Sequence, residues 1–211
     1  MRAIIIVAAL WWGAAACAQD DDLSAAEVQA ALAGAGSNHW IKLTDMRMVI
    51  ASAFMDPSTT LAQEPSIILV MPEALIASQS VRPRKQFLSY TPAREEQRRS
   101  LTVIAEGIAL GSRSGPLCSS IARIVLLSDR SGDSVLEASS SGPLEQTWQN
   151  AFGASAVCQA LRASFPITAV RRISSAAPNG EFLVAVFYEN SADPRIFKIK
   201  RRMMKKLGIE N

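Results

Sequence analysis

Three cysteines, one histidine and a scatter of carboxylates are the residues on which any chemistry in this 211-residue chain would have to rest. His39 is the single histidine, so a His-rich zinc site cannot form, and Cys17, Cys118 and Cys158 have neither the number nor the spacing of a cysteine site. No metal and no cofactor is expected. A Ser-His-Asp triad would depend on His39 alone, and the segment Gly111-Ser112-Arg113-Ser114-Gly115 places arginine where a nucleophile elbow needs serine. No lysine has serine three residues before it, and neither a Walker loop nor a G-x-G-x-x-G run is present.

Paired carboxylates are the remaining catalytic option, since glycoside hydrolysis needs only two acids at a suitable separation. Glu73, Glu106, Glu137 and Glu145 fall in or beside expected elements. Glu106 interrupts an apolar strand, where an ionised carboxylate is costly unless it is paired or faces water. It is the best single candidate for a special acid. Asp129 and Asp133 do not meet the D-x-D-x-D-G spacing of a calcium loop and read as a turn.

The first 18 residues have the form of a secretory signal: Arg2, an apolar run from Ala3 to Trp12, and the small-residue motif Ala16-Cys17-Ala18. The run is about ten residues, half of the roughly 20 that a membrane-crossing helix needs, so no transmembrane span is expected in the mature chain. Ala14-Ala15-Ala16-Cys17 also resembles a bacterial lipobox, although alanine stands where leucine is usual; in that alternative Cys17 is the lipidated first residue. Either route leaves Cys118 and Cys158 as the only pair, in a compartment where thiols oxidise, and a disulfide between them is expected. Closing that loop of about 40 residues would stabilise the fold by roughly 4 kcal/mol in the chain-entropy model.

Net charge is +3, one unit lower once Arg2 leaves, which implies no nucleic-acid partner. The distribution says more. From Arg195 to Lys206 the chain carries Lys198, Lys200, Arg201, Arg202, Lys205 and Lys206 with no acid, a basic patch suited to an anionic surface or to solvent. Smaller clusters occur at Arg82, Arg84 and Lys85 and at Arg98 and Arg99.

The elements that would position these groups follow from pattern. Ser24 and Glu27 form a capping box before a helix over Ala25 to Ala33. Strands are expected at Trp40 to Leu43, Ser66 to Met71, Ser100 to Leu110, Ser119 to Ser128, Val135 to Ala138, Glu181 to Glu189 and, as a lysine-guarded edge, Ile196 to Lys200. Asp56 to Pro65 has loop composition, and a weak helix over Ala74 to Val81 should stop at Pro83. Leu144, Trp148 and Phe152, and again Val157, Leu161 and Phe165, recur every four residues, predicting two amphipathic helices with Cys158 on the second. A further helix is expected over Thr168 to Ala177, and a terminal turn over Met203 to Leu207. Trp40, Trp148, Phe152, Phe182 and Tyr188 read as core rather than as a ligand groove.

The expected protein is therefore α+β, a mainly antiparallel sheet with short amphipathic helices packed on it and one disulfide. Residues 1–18 would be the signal, and 19–211 one globular domain ending in the basic segment 195–206. The function expected is that of an exported, periplasmic, secreted or lipid-anchored, non-enzymatic binding module whose partner is an envelope protein or an anionic envelope surface. The alternative is a hydrolase of envelope polymer or polysaccharide.

Overall fold

In the computed structural model the backbone is described for residues 22–44, 60–63, 66–85, 89–106, 108–111, 117–132, 134–149, 155–189, 191 and 193–210. Side chains are described for these residues except 60–63, 82–85, 108–111, 117–119, 145–149 and 155–158. The leader and Cys17 lie outside this set.

Mixed α and antiparallel β structure is present, as composition and pattern lead one to expect. One sheet has five strands, β1 (Trp40–Thr44), β3 (Ser66–Val70), β4 (Ser100–Ala105), β10 (Ser155–Pro166) and β9 (Ser140–Gln149), in that spatial order. A second has four, in the order β12 (Arg195–Ile199), β11 (Phe182–Tyr188), β7 (Ile121–Leu127) and β8 (Val135–Glu137). A small third set pairs β2 (Thr60–Gln63), β5 (Ile108–Gly111) and β6 (Leu117–Ser119). All described pairings are antiparallel.

Because side chains alternate across a strand, each large sheet sends one set inward. Ile41, Ile67, Leu69, Leu101, Val103 and Phe165 from the first sheet meet Ile124, Leu126, Phe182, Val184, Val186 and Phe197 from the second in one core. Two helices close it. Helix α3 (Ile167–Ala176) contributes Ile167, Val170 and Ile173, and α4 (Arg201–Leu207) contributes Met204 and Leu207, with Ile209 following. Gly208 ends α4 in the left-handed region (φ 73°), where a β-carbon would be strained.

On the other side of the five-stranded sheet lie α1 (Ala25–Leu32) and α2 (Pro72–Lys85). Helix α1 has the expected box: Glu27 N donates to Ser24 Oγ (3.3 Å) and Ser24 N to Glu27 Oε2 (2.8 Å). The same carboxylate accepts from Arg99 Nη2 (2.9 and 2.8 Å), which pins α1 to the entry of β4. Leu23, Val28 and Ala31 then pack with Ile76 of α2 in a small second core.

Several expectations are corrected. The two helices predicted from Leu144-Trp148-Phe152 and Val157-Leu161-Phe165 are instead the long paired strands β9 and β10. A spacing of four is a multiple of two, so it places residues on one face of a strand as well as on one face of a helix. Leu161, Ala163 and Phe165 alternate with Arg162 and Ser164, and in the register Phe165 opposite Leu101 they complete the inner face. Cys158 accordingly sits on a strand. Helix α2 runs to Lys85, two residues past Pro83: a proline so near the end removes one N–H without ending a helix whose last turn has few bonds left to lose. Thr60–Gln63 is a strand inside the expected loop, and the single strand predicted over Ser100–Leu110 is replaced by β4, which ends at Ala105, and β5, which begins at Ile108 and pairs in another sheet.

Among the described residues no disulfide is present; the Cys118 and Cys158 side chains lie outside that set. Their strands, β6 and β10, come within 8 Å of one another between Cα atoms. Also among the described residues, no helix is long and apolar enough to cross a membrane, which says nothing of strands.

Candidate functional site

The outer face of the five-stranded sheet carries the most distinctive surface of the molecule. Directly paired residues of antiparallel strands share a face, so the registers define its rows. Lys42 pairs with Ile68, Ile68 with Ile104 and Ile104 with Arg162. The neighbouring row runs Trp40, Val70, Thr102 and Ser164. Helix α2 leaves β3 at Pro72 and lies over the second row, burying Val70 and Thr102, while Ile68 and Ile104 stay only partly covered.

Between helix and sheet is a cavity of about 560 Å³, within the usual range for a small-molecule site. Trp40, Ile68, Val70, Ile104, Leu75 and Val81 form most of its wall. Trp40 and Val81 are 47% and 48% exposed, so the cavity opens to solvent beside two large apolar side chains. Ser37, Ser78 and Ser80 also line it, and the hydroxyls of the last two donate to the helix's own carbonyls, to Leu75 O at 2.8 Å and to Ala77 O at 2.9 Å. The lining therefore offers dispersion and apolar area and few free polar directions.

Two glycine turns and the histidine between them fix this geometry. Gly36, with φ 69°, lets the α1–β1 turn pass α2 so closely that a β-carbon there would lie 2.8 Å from Glu73 Cβ. His39 fills the space between Gly36 and Gly208; its ring would be 3.2 Å from a β-carbon at the first and 3.4 Å from one at the second. The imidazole thereby links the start of β1 to the end of α4. It is a packing residue next to Trp40.

Helix α4 packs on β1 from the core side, and Gly208 at its end meets His39, the residue before Trp40. Lys198, Lys200, Arg201, Arg202, Lys205 and Lys206 are all exposed. Two are neutralised locally: Lys198 pairs with Glu181, and Arg201 Nε with Glu210 Oε2 at 3.0 Å. Lys200, Arg202, Lys205 and Lys206 make no ion pair among the described residues. The structure adds Arg171 from α3, whose Nε donates to Ile209 O at 3.1 Å and so joins the same end of the molecule. A linear scan for charge runs could not find it, because the residue it meets, Ile209, is 38 positions away in sequence.

The candidate acids are dispersed. Glu106 caps the outer face at the end of β4, where its Oε2 accepts from Ser66 Oγ and from Lys42 Nζ at 3.1 Å. An 18% exposed side chain so held is satisfied as an ion pair. Glu137 is on the other large sheet and faces Arg123 at 3.7 Å, and Arg123 also lies 4.5 Å over the Phe187 ring. Glu73 begins α2, with one carboxylate oxygen buried and without a hydrogen-bond partner. The Glu145 side chain is outside the described set. Asp129 Oδ1 accepts from Ser131 N (2.9 Å) and Gly132 N (3.2 Å), the geometry of a turn; Asp133 is not among the described residues. Among the described residues no three His, Cys, Asp or Glu side chains gather around one point.

Of the aromatic residues read as core, Phe182 and Tyr188 are buried, whereas Trp40 stands at the groove. Trp148 (side chain) and Phe152 lie outside the described set. No protein-family model matches this chain, and no curated protein or solved structure matches it.

Proposed function

We propose that this protein is an extracytoplasmic, non-enzymatic binding module that works at an anionic envelope surface. The reading rests on two surfaces that meet at the edge strand β1, an open apolar groove on the outer face of the sheet and an exposed basic helix packed on β1 from the core side: apolar area gives affinity, and fixed positive charge selects an anionic partner. A polybasic surface contributes about 1 kcal/mol per cation close to an anionic membrane and is weakened by salt. The acids in described positions support no hydrolytic pair: Glu106 and Glu137 stand on different sheets and each faces its own cation.

Export would follow from residues 1–18, with signal cleavage after Ala18 or lipidation of Cys17 as the two routes to the envelope. Oxidising surroundings would then join Cys118 to Cys158, and the approach of β6 to β10 supports that pairing. Intact mass of the protein purified from its host, with and without reductant, tests these points together. The expected result is loss of the leader and two hydrogens fewer in the unreduced form; a full-length product with two free thiols would defeat the proposal. Binding is read by co-sedimentation with vesicles. The protein should pellet with phosphatidylglycerol vesicles and not with phosphatidylcholine ones, and the double variant Lys205→Glu/Lys206→Glu should stay in the supernatant.

A further inference from the structure

We propose that the groove between α2 and the five-stranded sheet binds a single-chain anionic amphiphile, a fatty-acyl carboxylate, with its chain over Ile68 and Ile104 and its head at Arg162. The inference deepens the reading of this surface as a binding site and rests on it. Three features of this surface select this ligand class. The wall is mainly aliphatic and indolic, and two of its three serine hydroxyls are already donated to Leu75 O and Ala77 O, leaving Ser37, so a ligand inside gains chiefly from apolar contact. That is the chemistry of a methylene chain.

The apolar floor row, in contrast, is flanked by a cation on each side. Lys42, on β1, is held by Glu106 at 3.1 Å. Arg162, on β10 just beyond the residues that line the cavity and followed in the row by Gly142 of β9, is half-buried and makes no ion pair among the described residues. Its side chain shares a face with Ile104, one strand away, so a head group on the guanidinium leaves the chain directed along the apolar row. A planar guanidinium matches a carboxylate through two parallel hydrogen bonds. Finally, Trp40 and Val81 at the opening are about half exposed, a state that an inserted chain would relieve.

The test is titration of the full chain with dodecanoate below its micelle concentration, followed by calorimetry and by tryptophan fluorescence. Saturable one-to-one binding is expected, with dodecyltrimethylammonium at least about tenfold weaker, a difference of roughly 1.4 kcal/mol. Val81→Glu places a carboxylate at the solvent-facing rim and should abolish dodecanoate binding while leaving the thermal transition in place. Arg162→Met should weaken dodecanoate about tenfold and leave dodecanol unchanged, which separates the head contact from loss of fold. The proposal is overturned if dodecanoate fails to saturate, if it binds the Val81→Glu protein equally well, or if sedimentation shows that a second copy of the chain fills the groove and excludes it. Vesicle binding through Lys205 and Lys206 is a separate readout: its loss with dodecanoate binding intact would remove the surface-binding function alone.

Discussion

The two faces of the five-stranded sheet are made from the same strands and have different fates. Inward, Ile41, Ile67, Leu69, Leu101, Val103 and Phe165 are sealed by a second sheet and by α3 and α4. Outward, the alternate residues Trp40, Lys42, Ile68, Ile104, Glu106 and Arg162 are covered only in part by α2, which is itself propped by the small core it shares with α1. The inner face is filled to the density of a protein interior, so its side chains are exchangeable only for others of equal volume. The outer face mixes apolar floor, charged rim and open volume. The buried core lies on the first, and the proposed binding would fall to the second.

That division can be broken in order of expected effect. Phe165→Ala, on the inner face, should cost about 3–5 kcal/mol in denaturant unfolding, since it removes a fully buried ring and leaves a cavity. Gly36→Ala tests how tightly the outer layer is seated. It adds a β-carbon 2.8 Å from Glu73 Cβ at a backbone angle that disfavours side chains, and should cost roughly 1–3 kcal/mol. If Gly36→Ala were neutral, α2 would be resting loosely on the sheet and the groove would not be a fixed shape.

Ser24→Ala, further out still, should cost about 1 kcal/mol by removing half of the capping box of α1. It also carries a pH signature. Hydrogen bonds from the Ser24 backbone and hydroxyl, aided by Arg99, hold Glu27 below the ordinary carboxylate range. A lowered folded value means that the contribution is complete above the ordinary range and is lost as pH falls through the lowered one. Wild-type protein should therefore lose stability on acidification across that window, and the Ser24→Ala protein should lose less. Trp40→Ala is the smallest change. At 47% exposure it should alter stability by less than about 0.5 kcal/mol while weakening ligand binding, an outcome that inner-face substitutions cannot give.

How much of this was readable beforehand depended on whether local signals agreed with one another. The Ser24/Glu27 box, the doubly apolar run Phe182–Tyr188 and the alternation of Phe197 and Ile199 with Lys198 and Lys200 each point to one structure, and each is found. In Pro143–Phe165 the signals conflicted: four-residue spacing suited a helix, alternation around Ala163 suited a strand, and pairing with β4 decided for the strand. The basic segment was visible as a run. Its local neutralisation by Glu181 and Glu210, the addition of Arg171, and the apolar groove were not, because each depends on residues distant in sequence.

The sequence by itself determined the α+β class, the capped first helix, the buried strand β11, the lysine-guarded edge and the basic end. These depend on period, capping chemistry and composition, which act over a few residues. Only the tertiary structure decided that Ser140–Gln149 and Ser155–Pro166 are strands, that Glu106 is an ion-paired acid, and that Trp40 opens a groove instead of filling a core. Each of those outcomes is set by what lies opposite: the inner face of a second sheet, a lysine two strands away, and a helix that stops short of covering the sheet beneath it.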